Sequence, residues 1–352
     1  MCVFVVDRIR RRYRDGTFVL STAMSDSDDD LFADDDAETA QSTASLFGVL
    51  HLLDEDDAKQ ADQQCTAESL AALLASRPEN IVLSKQKIGD EGVQLLVEAL
   101  AAAPAPAFAT HLGLSTSDIS DVGAQHLSSA LAGATLSKLD HLDLSSNSIS
   151  GGGLGSLASC LPRALSALDL SGNPLGDAGL ARFGSGAVAS GCLAQLGRLY
   201  LDRTQVGDED CRALAAAAAG RGPSDATPLP QLAELWLSNN RIGDGGAAAL
   251  FGALGGGAMP ALGDLRLQFN QLGDAAIAAL VAALTAGALA RTWYLGLSDN
   301  DFGDAALTTL GDSLVGGGLP RLEFVTVAGR GTSADGEKEL QDRLTRRPRA
   351  PR

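Results

Sequence analysis

The sequence has few of the residues that build catalytic or metal centres and no segment suited to a membrane. Aromatic side chains make up 4% of the 352 residues, and there are only 4 histidines. The cysteines are scattered, odd in number and form no C-x-x-C pair: Cys2, Cys65, Cys160, Cys192 and Cys211. No apolar run approaches the ~18 residues that span a bilayer. These absences predict a protein of a reducing compartment, the cytoplasm or the nucleus, with no metal and no membrane contact.

Enzyme motifs are missing as well. The chain contains no G-x-x-x-x-G-K-[ST], no G-x-S-x-G and no H-E-x-x-H, and its many glycines fall at periodic turns. We therefore expect a protein that is not an enzyme and that holds no cofactor.

What the chain does contain is one unit repeated nine times. In the stretch 232–254, Leu232, Leu235 and Leu237 follow the spacing L-x-x-L-x-L, and a helical apolar rhythm then runs from Ala247 to Leu254. The third apolar position recurs about every 30 residues, at Leu83, Leu114, Leu144, Leu170, Leu201, Leu237, Leu267, Leu297 and Val327. A unit of this size cannot bury its own apolar face, so neighbouring units must stack into one core.

The turn after each predicted strand has its own pattern. An asparagine stands there in five copies, at Asn147, Asn173, Asn240, Asn270 and Asn300. Its amide can both donate to and accept from backbone groups that the turn leaves unpaired. The other copies have Gln86, Ser117, Thr204 and Arg330, and we expect looser turns there.

A Gly-Asp pair usually follows the turn, as in Gly243-Asp244 and Gly273-Asp274. Glycine permits the turn, and aspartate is a good N-cap for the helix that begins there. The recurring aspartates are thus predicted to be helix caps rather than catalytic acids.

Strand, asparagine turn, capped helix and period together resemble the ribonuclease-inhibitor-like leucine-rich repeats, over roughly Ser69 to Leu344. The resemblance implies an α/β fold, a curved horseshoe solenoid of about nine repeats. Its parallel β-sheet would line the concave face and its helices the convex face. That family includes inhibitors, immune receptors, actin regulators and GTPase activators, so the fold alone selects no function.

Four segments are predicted along the chain. Residues 1–45 form a disordered N-terminal segment with an acidic tail, 46–79 a helical cap, 80–345 the repeat domain, and 346–352 a basic tail. Within the cap, Thr66 starts a helix that runs from Ala67 to Arg77.

The acidic tail holds most of the charge. From Met24 to Asp62, thirteen acidic residues stand against Lys59, a net charge of −12 out of −17 for the chain, so the repeats do not favour nucleic-acid binding. Ser25 and Ser27 have acids three residues on and suit an acid-directed kinase. Whether translation starts at Met1 or Met24, and whether the first 23 residues target an organelle, stay open.

Side chains that flank the last two apolar positions of each strand should lie outside the core. In repeats five to eight this set is rich in aromatic and charged groups: Arg198, Tyr200, Asp202, Arg203, Glu234, Trp236, Asn239, Asp264, Arg266, Gln268, Phe269 and Tyr294. Trp, Tyr and Arg dominate interface hot spots. Nine strands give a stripe of about 38 by 20 Å, or roughly 760 Å², which is near the area of one side of a standard interface. We predict a monomeric, non-enzymatic scaffold or adaptor that binds a protein partner there.

Three alternatives accompany this prediction. His111 and His141 occupy equivalent places in neighbouring repeats, and with Asp143 or Asp169 they could bind a metal, although an uncovered sheet face needs polar residues anyway. The run 34–36 of the acidic tail could cover Arg198, Arg203 and Arg266, a masking that salt would weaken.

The third alternative rests on a resemblance. The array is similar to the repeat domain of Ran GTPase-activating proteins, which implies a GTPase activator that binds a small GTPase without being a hydrolase itself. In that family the acidic segment follows the repeats, whereas here it precedes them.

Overall fold

The computed structural model describes residues 66–102, 109–176, 179–220 and 229–345. The chain divides into two compact units, Met1–Gln63 and Gln64–Arg352, and the described residues all belong to the second. The predictions for the segment 1–45 with Ser25 and Ser27, for the cap residues 46–65 and for the tail 346–352 lie outside them.

Nine three-residue strands form one sheet whose order follows the chain, and every neighbouring pair is parallel. The strands are β1 Asn80–Val82, β2 His111–Gly113, β3 His141–Asp143, β4 Ala167–Asp169, β5 Arg198–Tyr200, β6 Glu234–Trp236, β7 Asp264–Arg266, β8 Tyr294–Gly296 and β9 Phe324–Thr326.

Ten helices alternate with these strands in the described ranges. They are α1 Ala67–Ala75, α2 Gly89–Ala102, α3 Asp121–Leu131, α4 Gly151–Ala158, α5 Gly179–Ser190, α6 Asp208–Ala219, α7 Asp244–Gly255, α8 Asp274–Thr285, α9 Asp304–Val315 and α10 Ala334–Thr345. None of these helices is long and apolar enough to cross a membrane.

The core lies between the sheet and the helices. In β6 and just after it, Leu235 and Leu237 are 0% exposed, and α7 meets them with Leu250 and Phe251, which are also 0% exposed. Neighbouring strands lie about 4.8 Å apart and packed helices about 8–10 Å apart, so the stack bends toward the sheet and makes it the concave side. The predicted α/β solenoid of nine repeats is confirmed.

The turn asparagines tie each repeat to the one before it. Asn147 donates from Nδ2 to the carbonyl of its own repeat at Leu144, 2.9 Å, and to that of the preceding repeat at Leu114, 2.8 Å. Its Oδ1 accepts from the N–H groups of Ser117 and Ile119, both at 3.0 Å. The other four turn asparagines are buried in the same way: Asn173, Asn240, Asn270 and Asn300. The predicted role of the amide is confirmed.

Two of the turns without asparagine differ from expectation. Ser117 and Thr204 are 0% exposed, and their hydroxyls donate to the carbonyls of Leu83, 3.2 Å, and Leu201, 2.7 Å. These turns are therefore not looser, because the asparagine of the next repeat supplies the missing acceptor, as Asn240 does for the Thr204 N–H at 3.0 Å. Gln86 and Arg330 are exposed.

The aspartates after the turns are caps, but not of their own helices. Gly243 is the N-cap of α7, and Asp244 is its first residue. The Asp244 carboxylate instead accepts from Gly273, 2.7 Å, and Ala276, 2.9 Å, at the start of α8. The same contact with the next repeat recurs in the pairs Asp90–Ser120, Asp121–Ser150, Asp208–Gly243, Asp274–Gly303 and Asp304–Ser333.

The predicted N-cap role was wrong for a geometric reason. Asp244 follows the N-cap position of its own helix, and the stack places its carboxylate beside the free N–H groups of the next helix. At Asp90, burial opposes ionisation, yet the hydrogen bonds from Ser120 hold the pKa of the carboxyl below its usual value.

Thr66 starts α1 as predicted. Its hydroxyl accepts from the Ser69 N–H at 3.2 Å and the Ser69 hydroxyl lies 3.0 Å from the Thr66 N–H, which completes a capping box. The helix ends at Ala75, two residues before the predicted Arg77.

Candidate protein-binding face

The sheet register sets the candidate residues in two rows across β5 to β8. One row contains Arg198, Glu234, Asp264 and Tyr294 at the first strand position. The other contains Tyr200, Trp236, Arg266 and Gly296 at the third position. Since residues i and i+2 of a strand share a face, both rows project from the concave side.

An aromatic and guanidinium stack forms the centre of this face. The rings of Tyr200 and Trp236 lie 4.3 Å apart. On the other side of Trp236, Cζ of Arg266 is 3.8 Å from the indole centroid, and it is 4.9 Å from the ring of Tyr294. Cation–π contacts of this kind contribute about 0.5–2 kcal/mol according to their exposure. Trp236 is thus held in one orientation from both sides.

Asp264 fixes the guanidinium from below. Nε of Arg266 donates to Oδ1 at 3.1 Å and Nη2 to Oδ2 at 3.0 Å, a paired geometry that lysine cannot reproduce. Burial raises the pKa of Asp264 more than the bonds from Arg266 lower it. For Arg266, burial lowers the pKa, and the bonds from Asp264 more than offset this, so its pKa is raised. The two side chains form a salt bridge on the concave side of the sheet.

Hydrogen bonds extend the cluster to both sides. The Tyr200 hydroxyl donates to Glu234 at 2.7 Å, and burial together with this carboxylate raises the pKa of Tyr200. Farther along, Ser238 donates to Gln268 at 2.9 Å, and Gln268 donates to the Tyr294 hydroxyl at 3.0 Å.

Two further contacts position the side chains of Gln268 and Asp202. The side-chain amide of Gln268 passes over Gly296, where a Cβ atom would lie 2.3 Å from Nε2 of Gln268. Asp202 accepts from the Ser238 N–H at 2.6 Å, and its burial raises its pKa. The absence of a Cβ at Gly296 leaves room for the hydrogen bonds that Gln268 makes with Ser238 and Tyr294.

Three residues project at the rim where the strands end. Arg203, Asn239 and Phe269 are exposed and share a left-handed backbone with φ of 56°. Asparagine tolerates this conformation, whereas an aromatic residue rarely adopts it. Phe269 nevertheless stands 44% exposed, an apolar ring in a strained position with no core role.

The structure brings the predicted set together but corrects its exposure. Tyr200 is 3% exposed and Asp264 2% exposed, although both were expected to face solvent. Trp236 packs against Tyr200 from the adjacent strand, and Arg266, on the same strand as Asp264, binds its carboxylate. Tyr200 and Asp264 therefore orient the cluster, and the surface itself is made by the remaining side chains.

Two contributors were missed: Ser238, which follows Leu237 as Asp202 and Gln268 follow their leucines, and Trp293, which precedes β8. Ser238 links two strands through its hydroxyl and its N–H. Trp293, 37% exposed, lies edge-on to Tyr294 at 6.0 Å and to Phe324 at 6.5 Å. The adjacent Trp-Tyr pair in the sequence was the signal that could have identified this edge.

Earlier in the array the face carries polar groups. Asp143 and Asp169 are register partners on β3 and β4, and burial together with the Asp143 charge raises the pKa of Asp169 to about 6. His111 and His141 are register partners on β2 and β3, and burial lowers the pKa of His141. The acid that approaches the histidines is Asp140, at 2.8 Å from His141 Nδ1, in place of the predicted Asp143 or Asp169.

The sequence model of the family described as "Leucine Rich repeat" matches residues 135–158, 163–184 and 232–251. Each match covers a strand of the sheet and its following turn or helix. The matched segments and the nine-stranded parallel sheet show a leucine-rich repeat solenoid, similar to the ribonuclease-inhibitor-like kind. Its repeats belong to the long type that places a full helix behind each strand.

A curated relative of this leucine-rich repeat protein is the ribonuclease inhibitor of Sus scrofa. The two are 36% identical over 143 residues, which is 40% of this chain and 29% of the relative. The chain therefore matches less than a third of the length of that protein.

Two solved structures align with the leucine-rich repeat array more loosely. A protein from Bacteroides fragilis aligns over 85% of this chain and 72% of its own, with 14% identity and a TM-score of 0.42. An internalin from Listeria monocytogenes aligns over 82% of this chain and 89% of its own, with 16% identity and a TM-score of 0.29. Scores this low carry no argument about function, and the fold assignment rests on the sheet itself.

Proposed function

We propose that this leucine-rich repeat protein is a non-enzymatic scaffold or adaptor that binds a protein partner on the concave face of repeats five to eight. The observation that carries the proposal is the position of Trp236, held between Tyr200 and Arg266 on the open side of the sheet. Binding costs less side-chain entropy when such large groups are already ordered. An aromatic and arginine cluster fixed in advance is therefore well suited to be a hot spot.

The side chains divide by role in this proposal. Trp236, Arg266 and Tyr294 are half-buried at the centre, where a partner would exclude water from them. Arg203 and Phe269 stand exposed at the rim and would make the outer contacts. The buried Tyr200 and Asp264, with the hydrogen-bonded Glu234, Gln268 and Asp202, keep the central groups in place.

The relative supports a protein as the partner. The porcine protein is named as an inhibitor of ribonuclease, which is itself a protein. Because this chain covers 29% of that relative, the identity of the partner does not transfer with the similarity.

Affinity capture from the cytosol of the source cell tests the proposal with three tagged full-length chains. The first is the wild type, and the second carries Trp236→Ala with Arg266→Ala. The third is a control, Val122→Ala with Arg212→Ala, which removes an apolar side chain and an arginine from exposed positions on α3 and α6. We expect a partner that is retained by the wild type and the control but lost from the second chain. Identical partners for all three, with each chain folded by circular dichroism, would refute binding at this face.

The second candidate function is activation of a GTPase, which the resemblance inferred from the sequence to the repeats of Ran GTPase-activating proteins implies. The same experiment separates it from a scaffold. A small GTPase among the partners lost from the second chain, together with faster GTP hydrolysis when the purified wild type is added, would favour the activator. Any other partner, or a bound GTPase with an unchanged hydrolysis rate, favours the scaffold.

A further inference from the structure

Two histidines face each other on neighbouring strands in repeats two and three. His111 on β2 is the register partner of His141 on β3, and their ring centroids lie 4.4 Å apart with an angle of 16° between the planes. The sheet sets this spacing, because parallel strands hold paired residues about 4.8 Å apart. The two imidazoles are thus placed together by hydrogen-bonded backbone rather than by a loop.

Oxygen ligands lie at the same edge of the ring pair. The Asp140 carboxylate is 2.8 Å from Nδ1 of His141, and the Thr110 hydroxyl is 2.8 Å from Nδ1 of His111. One ring nitrogen of each histidine and one oxygen of Asp140 lie within 4.8 Å of one another. All three residues are half-buried, so the cluster is sheltered and still open to solvent.

This donor set has a definite chemical preference. Two imidazole nitrogens and one carboxylate oxygen suit borderline divalent cations, and zinc with three protein ligands keeps a fourth position open. Calcium and magnesium prefer sets made of oxygen alone.

The geometry is close to what an ion requires. Around a tetrahedral zinc with bonds of about 2.1 Å, neighbouring ligand atoms are about 3.4 Å apart. The separation of 2.8 Å between His141 Nδ1 and Asp140 is already near that value. All the ligand atoms lie within 4.8 Å of one another, so they need to approach by at most about 1.4 Å, which rotation of the half-buried rings can supply.

We propose that His111, Asp140 and His141 form a binding site for a divalent transition-metal ion, with zinc as the expected ion. The site lies in repeats two and three, outside the Trp236 and Arg266 cluster, and does not depend on the proposed partner. The absence of a metal site, expected from the sequence, is replaced by this proposal. Asp140 was missed because it precedes the strand, while Asp143 and Asp169 stand at the strand positions that were compared.

Isothermal titration of the full-length chain with zinc chloride, after treatment with a chelator, tests the site. The wild type is compared with a variant carrying His111→Ala and His141→Ala, and with His126→Ala on α3 as the matched control. We expect the double variant to bind one zinc equivalent fewer than the wild type, and the control to bind the same number. Counting the difference removes any contribution from cysteines or from His51 elsewhere in the chain. Equal stoichiometry in the wild type and the folded double variant would overturn the proposal, as would a wild type that binds no zinc at micromolar concentrations.

A second pair of variants tests the carboxylate. Asp140→Asn should weaken zinc binding by about 10- to 100-fold, while Asp143→Asn at the end of β3 should change it less than about threefold. Cobalt in place of zinc gives a spectroscopic check, since these ligands produce visible d–d bands without thiolate charge-transfer absorption. Equal effects of the two substitutions, or a thiolate signature that the double histidine variant retains, would contradict the assigned ligands.

Discussion

The Arg266 guanidinium lies 3.8 Å above the Trp236 ring while two of its nitrogens bind Asp264. One side chain thus joins a buried carboxylate to the aromatic surface that a partner would meet. A substitution that keeps the positive charge of residue 266 but changes its shape can therefore separate the effect of these contacts from the effect of charge.

Arg266→Lys should weaken partner binding while the chain stays folded. Lysine keeps the charge but can neither bind Asp264 through two parallel bonds nor lie flat on Trp236. We expect about a tenfold loss in affinity for the captured partner, or about 1.4 kcal/mol, measured by titration calorimetry. Arg203→Lys at the exposed rim is the control and should cost less than threefold. An unchanged affinity of Arg266→Lys would mean that charge alone matters, and equal losses for the two variants would mean that the contacts of Arg266 with Asp264 and Trp236 have no special role.

Phe269→Asn should stabilise the protein and weaken binding. Asparagine adopts the left-handed backbone of this position readily, and Asn239 already occupies the equivalent place in the preceding repeat. We expect the free energy of unfolding to rise by about 0.5–1 kcal/mol in urea denaturation. If stability does not rise, the ring stabilises the rim by contacts of its own. If binding does not fall, the partner does not reach this rim.

Asp244→Ala should destabilise the array because it removes the cap of the next helix. The loss of an N-cap acceptor costs about 1 kcal/mol. Asp335→Ala is the control, since Asp335 also lies in the first turn of a helix, α10, but is exposed. Its loss removes only a favourable helix-dipole interaction and should cost about 0.3–0.5 kcal/mol. Denaturant midpoints of the two variants measure the difference, and equal shifts would argue against capping between repeats.

Asp169 should make stability depend on pH between about 4 and 6. Its pKa is raised from 3.8 to about 6 in the folded chain, so the group favours folding below pH 3.8 and this contribution is lost as pH rises through 6. The shift corresponds to at most about 3 kcal/mol, since one pKa unit is about 1.36 kcal/mol.

Asp169→Asn should therefore raise the free energy of unfolding at pH 7.5 and change it much less at pH 4. Unfolding curves of both chains at the two pH values measure this. Asp143→Asn, which removes the neighbouring charge, should shift the pH dependence of the wild type to lower pH. An Asn variant with the same gain at both pH values would show that packing, not ionisation, is responsible.

Periodicity predicted the sheet, its buried leucines and the asparagine turns, because these depend on a pattern that every repeat shares. The aspartate caps were assigned to the wrong helix. A helix start is recognised in a sequence from residues three or four positions apart, whereas the N–H groups that Asp244 binds belong to Gly273 and Ala276 in the next repeat. Hydrogen bonds between repeats can be assigned only once the stacking of the repeats is known.

The sequence predicted which residues form the candidate face, but it predicted the solvent exposure of only some of them. Alternation along a strand places Tyr200 and Asp264 outside the core, and this is correct for the backbone. Their burial comes from large neighbouring side chains: Trp236 on the adjacent strand packs against Tyr200, and Arg266 on the same strand as Asp264 binds its carboxylate. Alternation along a strand does not predict which side chains pack over one another, and Asp140 was missed because it lies one residue before β3.

The turn asparagines and the helix-start aspartates tie neighbouring repeats in opposite directions. Asn147 reaches back to satisfy the turn of the repeat before it, while Asp244 reaches forward to the helix of the repeat after it. Each internal unit thus supplies hydrogen-bond acceptors to the repeats on both of its sides. Excising a single repeat would leave unmatched N–H groups on both sides of the cut, so length changes in this array should survive only where whole repeats are rejoined in phase.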